Sequence, residues 1–248
     1  MNNNSLKATA IIQARIGSTR LPKKIFLPLS GKPILWHVYQ RVKKSKLIDN
    51  VIIATTDLPE DDLVEMFCIE NKINYFRGSS DDVLSRYYFT AKSFQSDIIV
   101  RITSDCPLID SNVIDEIIKL FIGENADYAS NVLERTFPRG YDTEVFSFSV
   151  LEKTFFEAKE KFEREHVTPF IYNHPEIFKL VSYKINKDYS SLRLTIDTQE
   201  DYNLIKIIYD SLFDSNNFFN LNDVINFLNN NPELIKINQH IEQKKLGE

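Results

Sequence analysis

Residues 14–24 read ARIGSTRLPKK and set Arg15, Arg20, Lys23 and Lys24 around Gly17 and the hydroxyls of Ser18 and Thr19. These residue types suit an anion. Glycine permits a turn whose backbone N–H groups converge, arginine offers a rigid donor fork for phosphate, and lysine adds a mobile point charge. The stretch carries neither GxxxxGK[ST] nor GxGxxG, so it is not the common P-loop or the usual dinucleotide fingerprint. Taken by itself it reads equally as a phosphate cradle or as a solvated charged turn.

Two carboxylates could give the cradle a partner. Asp105 lies in ITSDCPLID (102–110) and Asp197 in LTIDTQED (194–201). A carboxylate at the end of a central strand can hold Mg²⁺, a hard ion that takes oxygen donors and shares them with substrate phosphates. Each aspartate read singly is as well explained by a turn or a helix cap. If both face the basic loop, they could hold a divalent ion against a triphosphate. Among the histidines, His166 in REHVTPFIY stands beside Arg164 and Glu165 and is the best site candidate, with a salt-bridged surface as its plain alternative. His37 falls in a helical pattern, His174 precedes a proline, and His240 is near the tail. Neither HExxH nor G-x-S-x-G is present, which removes support for a metalloprotease or an esterase-type hydrolase.

The elements needed to position these groups follow from the hydrophobic pattern. ATAIIQA (8–14), NVIIATTD (50–57) and DIIVRIT (97–103) are short, nearly continuous apolar runs, as in strands covered on both faces, and the third reads as the central strand. ILWHVYQRVKK after Pro33 has helical spacing, with proline in the first turn and cations in the last. An acidic helix is expected from Pro59, burying Leu63, Val64, Phe67 and Cys68. Ser80 or Asp81 is the expected cap of a helix reaching Ser93, and Asp110 or Ser111 of one carrying Val113 to Phe121. Strands are expected near 73–76 and 127–131. This alternation predicts an α/β fold, a Rossmann-like, mainly parallel sheet flanked by helices. From about residue 132 the rhythm changes, and 132–190 reads as a small antiparallel lobe over the sheet within a single domain spanning 1–248. Residues 192–202 then return to the core. Ligands in such sheets sit at the carboxyl ends of the strands, which brings together the polar stretches at 14–24, 55–57, 103–105 and, as a further expected strand end, 197–198.

Composition narrows the classes. With 30 basic and 35 acidic side chains the net charge is −5, which speaks against a nucleic-acid coat or an anionic membrane surface as partner. Hydrophobic residues are 43% of the chain, enough for a substantial core. Cys68 and Cys106 alone give neither a disulfide framework nor a zinc site. No apolar run approaches the ~20 residues of a membrane span, and the first residues lack the features of a secretory signal. A cytoplasmic protein is expected.

In order along the chain, ARIGSTRLPKK, ATTD, RGSSDDVLSRYY, ITSDCPLID, YDTEVFS, REHVTPFIY and LTIDTQED resemble the cytidylyltransferases that activate acidic sugars, such as acylneuraminate and Kdo cytidylyltransferases. The similarity extends to about residue 210 and is closest to the spore coat polysaccharide branch called SpsF. It implies a nucleotidyltransferase fold of the glycosyltransferase A type. It also implies transfer of CMP from CTP to an acidic sugar or sugar phosphate, with Mg²⁺ and release of pyrophosphate, by a protein that forms dimers. Carried over by position, Ala14, Arg15, Gly17, Ser18, Arg20 and Lys24 match the triphosphate loop, and Asp105 and Asp197 the metal aspartates. Arg77, Ser79 and Asp82 fall in the nucleotide segment; Asp142, Glu144, Arg164 and His166 fall in the acceptor-side lobe.

The chain departs from the acylneuraminate pattern at Ile16, at Ile25 and at Thr195. These changes argue against acylneuraminate as the acceptor and leave the phosphate loop intact. A nucleotide-sugar-dependent glycosyltransferase and a non-catalytic nucleotide-binding protein are the other classes compatible with the residues.

Overall fold

The computed structural model describes residues 6–214 and 218–243. The chain begins with β1 (Ala8–Gln13) and passes through a small hairpin, β2 (Pro28–Leu29) and β3 (Lys32–Pro33), into α1 (Ile34–Lys43). Then come β4 (Asn50–Thr56), α2 (Asp62–Glu70), β5 (Asn74–Gly78), α3 (Val83–Ser93), β6 (Ile98–Thr103) and α4 (Ser111–Gly123). The middle region supplies β7 (Tyr128–Ser130), β8 (Glu144–Ser147), α5 (Phe148–Glu157), α6 (Lys161–His166), α7 (Pro169–Tyr172) and β9 (Leu180–Ser182). Two helices, α8 (Gln199–Leu212) and α9 (Leu221–Asn230), complete the set.

Seven strands form one sheet in the order β5-β4-β1-β6-β8-β7-β9. The pairs among β5, β4, β1 and β6 are parallel, and β8 runs antiparallel to both its neighbours. From β1 the chain builds outward through β4 and β5, then returns to place β6 on the other side of β1. That reversal is the topological switch point, where the loops diverge and leave a crevice. Gln13 is level with Ala54 and with Thr103, so the loops after β1, β4 and β6 leave the same edge. Alternate residues of β1 enter opposite layers: Ala8, Ala10 and Ile12 pack with α1, α4, α8 and α9, whereas Ile11 packs with α3, α5 and α7. Burial on both faces explains why these strands read as continuous apolar runs.

Several local expectations need correction. Leu63 is 45% exposed, while Val64, Phe67 and Cys68 are buried as expected. The cap of α3 is Asp82, whose carboxylate accepts from the Ser85 N–H, because Ser80 and Asp81 bond each other on the exposed turn. Asp110 does cap α4. The 132–190 segment joins the main sheet through β8 and β9, and β8 is interior, between β6 and β7. Among the described residues, the separate two-stranded antiparallel sheet is the β2–β3 hairpin. Residues 192–198 form no strand; Arg193 makes one isolated bridge with Arg139. Asp197 therefore does not leave a strand end but lies on an irregular segment that crosses the sheet's carboxyl edge.

Candidate active site

The loop after β1 is fixed at its root. The Ile16 N–H donates to Asp61 Oδ1 at 2.7 Å, and the Thr56 hydroxyl donates to the other oxygen of Asp61. The Ser18 N–H turns back to the Ile16 carbonyl at 2.7 Å. Ile16 and Leu21 are both buried, so the chain is anchored twice and residues 17–20 arch outward between the anchors. A Cβ on Gly17 would stand 3.0 Å from Glu60 Oε1, the end of an exposed, flexible side chain that can move aside. Past the arch, Lys23 adopts a left-handed conformation (φ 54°) and opens a 3-10 turn over Lys24–Phe26, with Ile25 sealed in the core. The turn directs Lys24 inward. Ile16 and Ile25, the departures noted in the sequence, are thus packing residues on either side of the arch.

Lys24 Nζ makes three bonds: 3.0 Å to Asp105 Oδ2, 2.8 Å to Asp197 Oδ1 and 2.9 Å to the Ile196 carbonyl. The two aspartates converge, as the sequence analysis required. Their backbones are tied together as well, since the Asp105 carbonyl accepts from the Ile196 N–H at 2.9 Å and from the Thr195 hydroxyl at 3.2 Å. Burial would lower the Lys24 pKa, but the two carboxylates outweigh it and raise it. Burial pushes Asp105 upward, and the Lys24 ammonium, helped by Thr103 and Cys106, brings it well below the usual carboxylate range. Lys24 is a permanent cation and Asp105 a permanent anion at neutral pH.

Asp197 has further partners. Arg20 Nη2 lies 3.2 Å from its Oδ1, and Arg193 Nη2 donates to Oδ2 at 2.8 Å. Arg193 also binds Asp201, whose Oδ2 accepts from the Asp197 and Thr198 N–H groups. Thr198 and Asp201 form the capping box of α8, and Asn238 donates to Asp201 at 2.8 Å. A helix start therefore stands in for the absent strand in positioning Asp197. Arg193 was missed in the sequence because only the fold brings it onto Asp197.

Other expected residues are engaged with protein partners or stand apart from Lys24. Ala14 extends the β1 pairing through its N–H to the Ala54 carbonyl at 3.1 Å. Arg15 is exposed on the loop and adds its positive field to buried Arg86. Arg77 bonds the Thr56 and Leu58 carbonyls and pairs with Asp62 and Glu65. Ser79 accepts from the Asp82 N–H, and Asp82 Oδ2 is held by Arg164 at 2.8 and 2.6 Å. The pair Asp82–Arg164 joins a nucleotide-segment residue to an acceptor-lobe residue, leaving neither side chain open.

Glu144 is likewise saturated, by Arg101, by the Tyr128 hydroxyl at 2.6 Å and by the Thr168 hydroxyl at 2.6 Å. His166 is half-buried near this cluster, and burial lowers its pKa. Asp142 receives a two-pronged pair from Arg135 at 2.6 and 2.9 Å. Beside them stands Arg139, partly buried, in the field of Arg135, Asp142 and Arg193, with no hydrogen bond or ion pair of its own guanidinium among the described residues. Burial lowers its pKa. Its position is set by Gly140 at φ +105°, where a Cβ would lie 2.2 Å from the Leu194 carbonyl oxygen. The Pro-Arg-Gly turn was the available signal for this residue. Cys106 is buried, and burial raises its thiol well above its ordinary range, which disfavours the thiolate.

No cluster of three or more His, Cys, Asp or Glu side chains among the described residues could by itself hold a metal ion. Asp105 and Asp197 are hard oxygen donors of the kind Mg²⁺ takes alongside water and substrate phosphates, and in this structure Lys24 Nζ lies between them. Among the described residues no helix is long and apolar enough to cross a membrane.

The chain is 34% identical over 230 residues to the spore coat polysaccharide biosynthesis protein SpsF of Bacillus subtilis, covering 90% of this chain and 94% of that one. It is 36% identical over 124 residues to the 3-deoxy-manno-octulosonate cytidylyltransferase of Chloroherpeton thalassium, covering 49% of this chain and 48% of that one. A solved cytidylyltransferase from Leptospira borgpetersenii superposes with a TM-score of 0.89 at 39% identity, over 97% of this chain and all of that one. The profile of the family described as "Cytidylyltransferase" matches residues 9–246, and the protein belongs to that family of enzymes.

Proposed function

We propose that this cytidylyltransferase transfers the CMP group of CTP to an acidic sugar or sugar phosphate used in surface polysaccharide synthesis, releasing pyrophosphate. The observation that carries the reading is Lys24, held between Asp105 and Asp197 beneath the cationic arch of residues 15–20. The amides of the arch, Ser18, Arg15 and Arg20 would bind the triphosphate. Lys24 and Arg20 would offset negative charge as the α-phosphoryl group is transferred. Asp105 and Asp197 would hold Mg²⁺, which when bound neutralises phosphate charge and polarises the phosphoryl oxygens.

The acceptor's hydroxyl, giving up its proton to solvent, or the phosphate oxygen of a sugar phosphate would attack the α-phosphorus in line as its bond to the departing pyrophosphate breaks, so positioning at the carboxyl end of β6 supplies much of the effect. Arg139 would receive the acceptor's anionic group, since its neighbours Arg135 and Arg193 already have carboxylate partners. The relatives' names support this class: the Chloroherpeton enzyme is named for a sugar acid, and the Bacillus protein for a polysaccharide.

A pyrophosphate-release screen of each nucleoside triphosphate against sugar acids and sugar phosphates, with mass spectrometry of the products, tests the proposal. A CMP-sugar from CTP and an acidic acceptor is expected. Release of nucleoside diphosphate from a nucleotide sugar, with no pyrophosphate from CTP, would instead establish a glycosyltransferase.

A further inference from the structure

A second cationic feature lies apart from Lys24 and its aspartates, where the end of α1 meets the starts of α4 and α9. Arg41 is 3% exposed. Its Nε donates to the Tyr209 hydroxyl at 3.1 Å, and its Nη1 donates to the Phe219 carbonyl at 2.9 Å and the Ile109 carbonyl at 3.4 Å. Its guanidinium carbon stands 4.2 Å from the centre of the Phe219 ring. Nη2 is buried with no hydrogen-bond partner, and Arg41 makes no salt bridge among the described residues. A buried cation lacking both a counter-ion and one donor's acceptor is costly.

Arg41 lines a cavity of about 70 Å³ together with Lys44, Ser111 and Asn220. Two helix N-termini open onto it, those of α4 and α9, and each presents the positive end of a dipole. One carboxylate, Asp110, lines it too, but both its oxygens are engaged by amides: Oδ1 by Asn112 at 2.9 Å and Oδ2 by Leu221 at 2.8 Å. Asp223, in the first turn of α9, is turned to the Asn220 N–H at 2.8 Å. The Ser111 N–H and hydroxyl have no protein partner among the described residues. Lys44 is exposed, packed over Phe218 with its Nζ 4.2 Å from the ring centre.

We infer that this cavity binds one small tetrahedral oxyanion of the phosphate type. Arg41 supplies the buried positive charge, its Nη2, now shielded, turning to donate to the ion; Ser111 supplies the helix-end donors, and Lys44 the charge at the mouth. The volume admits such an ion and is far below the ~300 Å³ at which pockets for nucleotide-sized ligands begin. Arg41 also reaches the catalytic loop through the Tyr209 hydroxyl, which donates to the Pro107 carbonyl at 2.5 Å, two residues from Asp105. An occupied site would therefore brace that loop. The inference does not rest on the identity of the acceptor or on transfer of CMP.

The test is crystallography of the full chain soaked in selenate, with an anomalous difference map, alongside calorimetric titration with inorganic phosphate and with pyrophosphate. Both are done in the Lys24→Ala background, which weakens the triphosphate loop's own attraction for anions. Expected are a selenium peak within hydrogen-bond reach of Arg41 Nη2 and phosphate binding that Lys44→Glu, a change at an exposed side chain, weakens at least tenfold. Ser111→Asp, which sets a carboxylate at the mouth, should cause a similar loss. Tighter binding of phosphate than of pyrophosphate is expected from the cavity's size. Only water-sized density at Nη2, or equal phosphate affinity in parent and Lys44→Glu proteins, overturns the inference.

Discussion

Lys24 Nζ lies 2.8 Å from Asp197 Oδ1 across 173 positions of sequence, and the same ammonium lies 3.0 Å from Asp105. One lysine thus joins the loop after β1, the loop after β6 and the segment leading into α8. Removing it should separate function from fold. In Lys24→Ala, kcat/KM for CTP-dependent pyrophosphate release is expected to fall by about 10²–10³, the usual scale for deleting one charge-stabilising donor. The far-ultraviolet circular dichroism should stay unchanged. Equal nucleotide affinity in both proteins would return the loop to a solvated turn.

The two aspartates should differ in what else they support. Asp105→Asn and Asp197→Asn are each expected to lower turnover at least 100-fold. Asp197 also pairs with Arg20 and Arg193, so its loss leaves Arg20 without its carboxylate and Arg193 with Asp201 as its remaining one. Thermal melts should therefore show a larger drop for Asp197→Asn than for Asp105→Asn. The reverse order would contradict the observed pairing.

Gly140→Ala tests the link between the acceptor side and the metal side. At φ +105°, with a Cβ placed 2.2 Å from the Leu194 oxygen, the substitution must displace the backbone that precedes Asp197. A destabilisation of about 2–4 kcal/mol is expected from strain of this kind, together with a loss of activity. Chemical denaturation and a turnover assay on the same sample would measure both.

Asp82 and Arg164 supply a different forecast. Their pair, two guanidinium N–H groups on the one oxygen Asp82 Oδ2, connects the cap of α3 to α6, and Arg164 also donates to the Phe155 and Ala158 carbonyls. A double-mutant cycle of Asp82→Ala and Arg164→Ala should give a coupling of about 1 kcal/mol in stability, because the pair is partly solvated. The KM for the acceptor should change little in either variant. A large specific rise in that KM for Arg164→Ala would restore it to the acceptor site.

His37 sets an acid limit on stability. Its Nε2–H donates to the Leu29 carbonyl at 2.7 Å, Nδ1 is buried without a partner, and burial pushes its pKa down to about 4. The unfolded chain then binds a proton near pH 6.5 that the native protein refuses until about pH 4, so stability declines as pH falls through that window. The contribution approaches roughly 3 kcal/mol at the lower end. Thermal melts from pH 7.5 to 4.5 should show this decline, and His37→Gln should flatten it.

The sequence by itself was enough for the alternating strands and helices, the basic arch and the two aspartates. Apolar runs between turn residues follow from burial on both faces, and charged residues around a glycine in a loop keep their chemistry wherever the chain goes. Strands β1, β4, β5 and β6 and the cap at Asp110 need only local rules, whereas the β2–β3 hairpin carries too few residues to show a pattern. What the tertiary structure decided was which charges meet. Arg77, Asp82, Glu144 and Arg164 find partners 12 to 82 positions away, and Lys24 finds Asp105 and Asp197 81 and 173 positions away. Arg139 shows the opposite outcome, a cation of ordinary sequence left without a carboxylate because Asp142 turned to Arg135. Pairing of charges depends on distances of a few ångströms between remote segments, and only the folded sheet fixes those distances.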